Sequence, residues 1–238
     1  MSPIEFLVAS GAVTIGAMLQ GTVGFGLGLV AAPILVLIDT SLVPGPLLFC
    51  GLMLTMLLTG REFRSVDMGG LTWALIGRLP GVVLGAAAIA LIARDHLALL
   101  FGVLILTVSA ISSLGPRLPV TRRTLMSAGA LSGFMATTIS VGGPPMGLLY
   151  QHDAGSKIRG TLSGYFVAGA AMSLAALAVV GRFGWTEITL AGSLLPGVVL
   201  GFILSRKSAE RLDEGKTRLA VLTVSIVTGV VVLVRALN

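Results

Sequence analysis

Charged side chains are scarce in this sequence: only 11% of its 238 residues are Asp, Glu, Lys or Arg. A soluble domain carries about 25%, so most of the surface of this protein must face something other than water. The sequence also has a single cysteine, Cys50, and two histidines. One cysteine excludes a disulfide framework or a paired-cysteine metal site within one chain, and we predict no metal site.

Apolar residues and glycine are abundant instead. The composition is 55% hydrophobic with 32 glycines, and long apolar runs recur along the whole chain. This pattern predicts an all-α polytopic membrane protein, because helices satisfy their own backbone hydrogen bonds in lipid. The net charge of +6 then reflects membrane orientation rather than nucleic-acid binding. The apolar runs are residues 4–38, 46–59, 70–93, 97–114, 124–150, 160–181, 186–204 and 217–236.

A heptapeptide, Leu-Pro-Gly-Val-Val-Leu-Gly, occurs at residues 79–85 and again without change at 195–201, 116 residues later. Gly26 and Gly142 are separated by the same offset. This repetition predicts a duplicated membrane module, an organisation common among transporters. Because proline and glycine are poor residues for a helix interior, we also expect helix breaks at both heptapeptides.

The distribution of basic residues predicts the topology. If 4–38 and 124–150 are hairpins that enter and leave on one side, four linkers share the cytoplasmic side and hold twelve of the sixteen Lys and Arg residues. Those linkers are 60–68, 115–123, 151–159 and 205–218. Each half then makes an odd number of net crossings, so the halves are inverted repeats with both termini periplasmic. The predicted units are a first repeat at 1–115, a cytoplasmic linker at 116–123 and a second repeat at 124–238. Each repeat is a Gly-rich broken helical hairpin followed by three transmembrane helices.

Two stretches, residues 20–28 and 137–145, are dense in small and hydroxyl residues at matching positions of the two halves. Irregular backbone at membrane depth persists only where it is buried in protein or lines a cavity. Breaks there would present backbone N–H groups that favour anions; the alternative is that small residues only let helices pack closely. The predicted substrate-binding residues are Arg78, Gln20, Thr22, Gly24, Gly26, Pro80, Gly81, Thr137, Thr138, Ser140, Gly142, Gly143, Pro196 and Gly197.

Arg78 is the most informative of these residues because it lies deep within an apolar run, beside the first Pro-Gly pair. Charges at such depth usually mark a pathway or a specific partner. A guanidinium suits a planar or tetrahedral oxyanion. The alternative is a structural pair with a polar group on a neighbouring helix.

Titratable residues close to the hairpins are candidates for a proton relay. His152 and Asp153 follow the second break, and Asp39 follows the first. A histidine beside a carboxylate can pass protons, although such a pair more often caps a helix or faces water. Ser140 and His152 form the one tempting nucleophile and base, but no orienting acid is evident, so we do not expect an enzyme.

With these motifs the chain resembles the sulfite exporter TauE/SafE family of bacterial membrane transporters. The matching elements are Gly21 to Gly28 with Pro33, Gly133 to Pro145 with Leu148-Leu149-Tyr150, and the paired Leu-Pro-Gly-x-x-x-Gly. The resemblance implies a secondary carrier without a prosthetic group in the bacterial inner membrane. It also implies export, or less often uptake, of sulfite, an organosulfonate such as sulfoacetate, or a related oxyanion or organic acid.

An anion channel on the same scaffold is the alternative function, since Gly-rich breaks also build selectivity filters. The expected partners are a small anionic substrate and the lipid bilayer, with no nucleic acid, and a homodimer is left open. The substrate, the coupling ion and the direction of flux are not determined by these motifs.

Overall fold

The structure, a computed structural model, describes residues 1–62, 68–91, 119–150 and 155–208, together with the single positions 99, 103, 104, 106, 107, 110, 230 and 234. Within these residues the fold is all-helical, as the composition predicts. A 3₁₀ turn at Thr40–Leu42 follows the second helix. The helices are α1 (Pro3–Val23), α2 (Leu27–Ile38), α3 (Gly45–Glu62), α4 (Met68–Leu91), α5 (Arg122–Ile139), α6 (Gly143–Tyr150), α7 (Gly155–Val179) and α8 (Trp185–Ser208).

Five of the described segments are long and apolar enough to cross a membrane, which confirms the predicted multi-pass character. They belong to α1, α3, α4, α7 and α8. The predicted spans at 97–114 and 217–236 lie almost entirely outside the described residues. The five segments are Pro3–Val23, Thr40–Gly60, Gly69–Leu91, Arg159–Val179 and Trp185–Arg206.

Both predicted hairpin breaks are present, and each first helix ends in a left-handed residue. α1 ends in Gly24, a left-handed residue at φ 102° whose N–H donates to the carbonyl of Gln20. α5 ends in Ser140, left-handed at φ 59°, whose N–H donates to the carbonyl of Ala136. Gly24 and Ser140 are 116 residues apart, as are Gln20 and Ala136. The two halves therefore terminate their first helices by the same hydrogen bond.

The return leg of the first hairpin is too short to cross a bilayer. α2 has 12 residues, so at 1.5 Å per residue it is about 18 Å long. The hydrocarbon core is about 30 Å thick. By contrast α1, with 21 residues, is long enough to cross.

The helix breaks predicted at the two heptapeptides are absent. α4 continues through Pro80 and Gly81 to Leu91, and α8 continues through Pro196 and Gly197. A proline in a helix removes one hydrogen bond and need not end the helix when tertiary packing supports it. The Pro-Gly pairs therefore do not unwind the backbone.

The glycines of each heptapeptide are instead points of close helix contact. A β-carbon at Gly81 would clash with the carbonyl oxygen of Ala130 on α5. A β-carbon at Gly201 would clash with the carbonyl oxygen of Thr14 on α1. Small residues allow such backbone contact within membranes. Each heptapeptide thus packs its helix on the first helix of the other half.

The order of these contacts gives the helix directions. Gly77, Gly81 and Gly85 meet Met126, Ala130 and Phe134 in rising order, so α4 and α5 are parallel. Gly197 and Gly201 meet Ser10 and Thr14 in rising order, so α8 and α1 are parallel as well.

Contacts at the start of α3 show which helix ends lie at the same end of the bundle. Gly45 packs against Arg182 and Phe183, which lie between the end of α7 and the start of α8. The starts of α3 and α8 therefore share one end of the bundle with the end of α7. An inverted relation between the two halves stays a prediction, and it would produce this arrangement.

Candidate functional site

A cavity of about 50 Å³ lies where the two hairpin breaks meet. One water needs roughly 10–15 Å³ of such space, so a small solute can enter. The breaks touch here: a β-carbon at Gly28 would clash with the carbonyl oxygen of Ser140, and the Phe25 ring packs against Gly143 and Gly147. The lining residues are Gln20, Phe25, Gly26, Leu27, Gly28, Leu29, Leu47, Leu48, Gly51, Thr55, Arg78, Ala136, Ser140, Val141, Gly142, Gly143, Phe166 and Ala170.

Arg78 brings a positive charge to this cavity from the middle of α4. Its side chain is 1% exposed. Nη1 donates to Ser132 Oγ at 3.2 Å, and Nη2 lies 3.5 Å from Ser173 Oγ. Ser132 in turn donates to the carbonyl oxygen of Gly142 at 2.6 Å. The serine hydroxyl therefore links the guanidinium to the second break.

Glycines make the space that the Arg78 side chain occupies. A β-carbon at Gly169 on α7 would clash with Nε and Cζ of the guanidinium. A β-carbon at Gly133 on α5 would come within 2.8 Å of the Arg78 Cγ. The ring of Tyr165 lies against the guanidinium, 4.9 Å from Cζ to the ring centroid. The side chain is thus held between α5 and α7 in a fitted slot.

No anionic group balances the charge of Arg78 in the described part of the chain. Its contacts there are two hydroxyls and an aromatic ring, and Nε is buried without a hydrogen-bond partner. Arginine stays protonated in proteins, and a buried charge without a partner is costly. This imbalance favours an anion beside the guanidinium.

The first turn of α2 provides a second group that favours anions. Leu27, Gly28 and Leu29 line the cavity, and no side chain caps Gly26, which precedes this helix. Gln20 Oε1 accepts the N–H of Leu27 at 3.1 Å, so one N–H of this turn is already engaged. Backbone N–H groups at a helix start attract negative charge.

The start of α6 contributes less than the start of α2. Its second and third residues are Pro144 and Pro145, which have no backbone N–H. Gly142 and Gly143 still line the cavity. The two breaks are therefore chemically unequal, although both first helices end in a left-handed residue.

Most of the predicted hydroxyl donors are engaged elsewhere. Thr22 donates to the Met18 carbonyl one turn back in its own helix. Thr137 and Thr138 likewise bond to carbonyls of α5, and Thr137 Oγ1 also lies 2.9 Å from Ser173 Oγ, a partner of Arg78. None of the three threonines lines the cavity. Ser140 lines the cavity, but its hydroxyl donates to the carbonyl of Pro44 at 2.8 Å.

The cavity brings together six of the predicted residues and leaves the others outside its lining. It includes Arg78, Gln20, Gly26, Ser140, Gly142 and Gly143. The remaining predicted binding residues that do not line it are Thr22, Gly24, Pro80, Gly81, Thr137, Thr138, Pro196 and Gly197.

The predicted relay residues are not part of this lining. Asp39 is exposed, and its side chain accepts the N–H of Ser41, so it caps the 3₁₀ turn. His152 and Asp153 lie outside the described residues. Among the side chains that the structure does describe, no cluster of His, Cys, Asp and Glu could hold a metal ion.

Sequence reasoning missed the residues that hold and surround Arg78. Tyr165, Gly169 and Ser173 recur every four residues along α7, which places them on one helix face. Polar and small residues at that spacing in an apolar helix were an available signal. The apolar wall and Thr55 carried no such signal. That wall consists of Phe25, Leu47, Leu48, Phe166 and Ala170.

Comparison with known proteins gives one family. The family model described as Sulfite exporter TauE/SafE matches residues 8–232. Neither the curated proteins nor the solved structures include a match to this chain.

Proposed function

Because the chain belongs to the sulfite exporter TauE/SafE family, we propose that it is a secondary carrier for a small sulfur-containing anion. The family implies transport of sulfur anions across a membrane. The finer proposal is that sulfite, an organosulfonate such as sulfoacetate, or a related oxyanion binds at the two hairpin breaks and is exported by alternating access.

One observation carries the site assignment: Arg78 is 1% exposed, lines the cavity and has no counter-charge among the described residues. An anion in the cavity would lie between this guanidinium and the first turn of α2. Charge-assisted hydrogen bonds are the strong ones, and the planar guanidinium suits an oxyanion. The anion would then neutralise a charge that is costly in the empty protein.

The apolar wall supports a small substrate. The rings of Phe25 and Phe166 and several aliphatic side chains line one wall of the cavity. Such apolar groups cannot replace the hydration shell of a strongly charged ion. An anion with one charged end, bound by Arg78 and the first turn of α2, suits a cavity that is charged on one side and apolar on the other. A short apolar part, as in an organosulfonate, would lie against the rings.

The duplicated halves support alternating access. The heptapeptide of each half packs on the first helix of the other half, and the two breaks share one capping geometry. Carriers built from inverted repeats bind at the repeat interface and move one unit against the other. We propose repeats at 1–115 and 124–238, joined by a cytoplasmic linker at 116–123, in the bacterial inner membrane with both termini periplasmic.

Ligand-induced stabilisation of purified protein tests the site. A ligand that binds only the folded state raises its stability, so a panel of sulfite, sulfate, thiosulfate, sulfoacetate and short carboxylates should reveal at least one stabilising anion. The Arg78→Ala variant should bind it at least about tenfold more weakly, because a charge-assisted hydrogen bond contributes about 1.5–3 kcal/mol. Arg78→Lys should be intermediate, since lysine keeps the charge without the planar fork.

Arg123→Ala is the matched control, because it removes the same charge at an exposed position. Wild-type affinity in Arg78→Ala would contradict the site, and a panel without any stabilising anion would contradict the substrate class. Flux through proteoliposomes separates the two transport classes: a carrier saturates, whereas a channel gives weakly saturable, electrodiffusive conductance.

A further inference from the structure

None of the described groups around Arg78 carries the negative charge that would balance its guanidinium. Its side-chain partners are the hydroxyls of Ser132 and Ser173 and the ring of Tyr165, all of them neutral. The guanidinium Nε is buried and has no hydrogen-bond partner among the described residues. These residues therefore give the anion-free site a net positive charge.

The acidic side chains that the structure describes are all engaged away from the cavity. Glu5 bonds to Ser2 at the start of α1. Asp39 caps the 3₁₀ turn, and Glu187 accepts the N–H of Gly184. None of them lines the cavity.

The cavity lining also has no group that could change its charge by taking up a proton. Its described residues include no Asp, Glu, His or Lys. No described lining residue can neutralise Arg78, so we assign that role to the bound anion. With a monovalent anion bound, the site is neutral; without it, the site has one positive charge.

We infer that this difference makes the protein an obligate anion exchanger, and this inference rests on the carrier function proposed above. In a carrier the site must be closed to both sides of the membrane during reorientation, and the few waters that fit in a closed site screen the charge far less than bulk water does. With an anion bound, the carrier passes through this closed state with a neutral site. The empty carrier would pass through it with a buried, unpaired guanidinium. Return is therefore fast only with a second anion bound.

The exchange partner is defined by the same chemistry as the substrate. It is a second small oxyanion or carboxylate with one negative charge that fits between Arg78 and the first turn of α2. One anion leaves for each anion that enters, so the exchange of two monovalent anions moves no net charge. Efflux of the sulfur anion then depends on the supply of an anion on the opposite side.

Counterflow into proteoliposomes tests this inference on the full-length protein. Uptake of radiolabelled sulfite is compared between vesicles loaded with unlabelled sulfite and vesicles loaded with an uncharged osmolyte. The membrane potential is set to zero with potassium and valinomycin, so that charge movement alone does not limit flux. The exchanger predicts initial uptake more than tenfold faster into the sulfite-loaded vesicles.

The outcomes separate the two proposals. Equal uptake into both kinds of vesicle would overturn obligate exchange and leave the carrier function intact. No protein-dependent uptake into either kind would overturn both the exchange and the proposed sulfite transport.

Charge variants of Arg78 test whether its charge causes the requirement for an internal anion. Arg78→Lys should keep the requirement for internal anion, because the charge remains. In Arg78→Gln, uptake measured at raised sulfite should depend far less on internal anion. An undiminished requirement in Arg78→Gln would overturn the role of Arg78 in exchange.

Discussion

Gly169 on α7 faces Arg78 so closely that a β-carbon at this glycine would overlap Nε and Cζ of the guanidinium. The absence of a side chain at residue 169 is therefore part of the binding slot. A substitution at residue 169 can therefore move the guanidinium without removing its charge.

We predict that Gly169→Ala weakens anion binding at least about tenfold while Arg78 itself is unchanged. The added methyl group displaces the guanidinium, and charge-assisted hydrogen bonds of about 1.5–3 kcal/mol depend on its position. Titration of thermal stability with sulfite measures the effect. Gly192→Ala is the control, since a β-carbon there meets no atom within 4 Å. Unchanged affinity in Gly169→Ala would show that the guanidinium does not contact the anion.

The heptapeptide glycines should matter for stability. Gly81→Ala and Gly201→Ala each place a methyl group against a backbone carbonyl of the other half, and such overpacking costs about 1–3 kcal/mol. We expect both variants to unfold at lower temperature in detergent. Gly11→Ala on α1, where nothing lies within 4 Å, should be neutral or slightly stabilising because alanine favours helices. Equal stability of all three variants would argue against close contact between the halves.

The two break residues should respond differently to substitution although both are left-handed. Gly24 has φ 102°, and a residue with a β-carbon there incurs about 1–3 kcal/mol of strain. Gly24→Ala should therefore lower the unfolding temperature. Ser140→Gly should leave stability nearly unchanged, because glycine adopts the left-handed conformation easily and offsets the lost bond to the Pro44 carbonyl. A stable Gly24→Ala would mean that the first break is not left-handed.

Cysteine labelling of intact cells should place the basic linkers in the cytoplasm. Single cysteines at Ser65, Ser156 and Ser208, introduced with Cys50→Ala, should react with a membrane-impermeant maleimide only after lysis. A cysteine at Arg182 should react in intact cells, because that loop is predicted to lie outside. External labelling at any of the three serines would refute the predicted topology.

The apolar runs and small-residue stretches were enough to predict the membrane-spanning helices that the structure describes and the two hairpin breaks. Both features are local. A bilayer requires about 20 apolar residues per helix, and stretches such as 20–28 and 137–145 contain too many small residues to be ordinary helix interior. The 116-residue offset likewise predicted that the breaks would correspond, and Gly24 and Ser140 end their helices in the same way.

The same reasoning was wrong about the heptapeptides because a Pro-Gly pair has two uses in membrane helices. It can unwind a helix, or it can let a neighbouring backbone approach. Which one applies at Gly81 depends on whether another helix, here α5, lies against it. That information is not present in residues 79–85 themselves.

Sequence alone determined that the chain is a helical membrane protein with one charge buried deep in an apolar run, since composition and spacing act over short distances; the duplication stays a prediction. Only the tertiary structure decided what surrounds that charge. Ser132, Tyr165, Gly169 and Ser173 reach Arg78 from two other helices. The hydroxyls of Thr22 and Thr138 turn back to their own helices, whereas the first turn of α2 faces the cavity. Such choices depend on helix rotation and side-chain conformation, which are set by packing between distant segments rather than by local sequence.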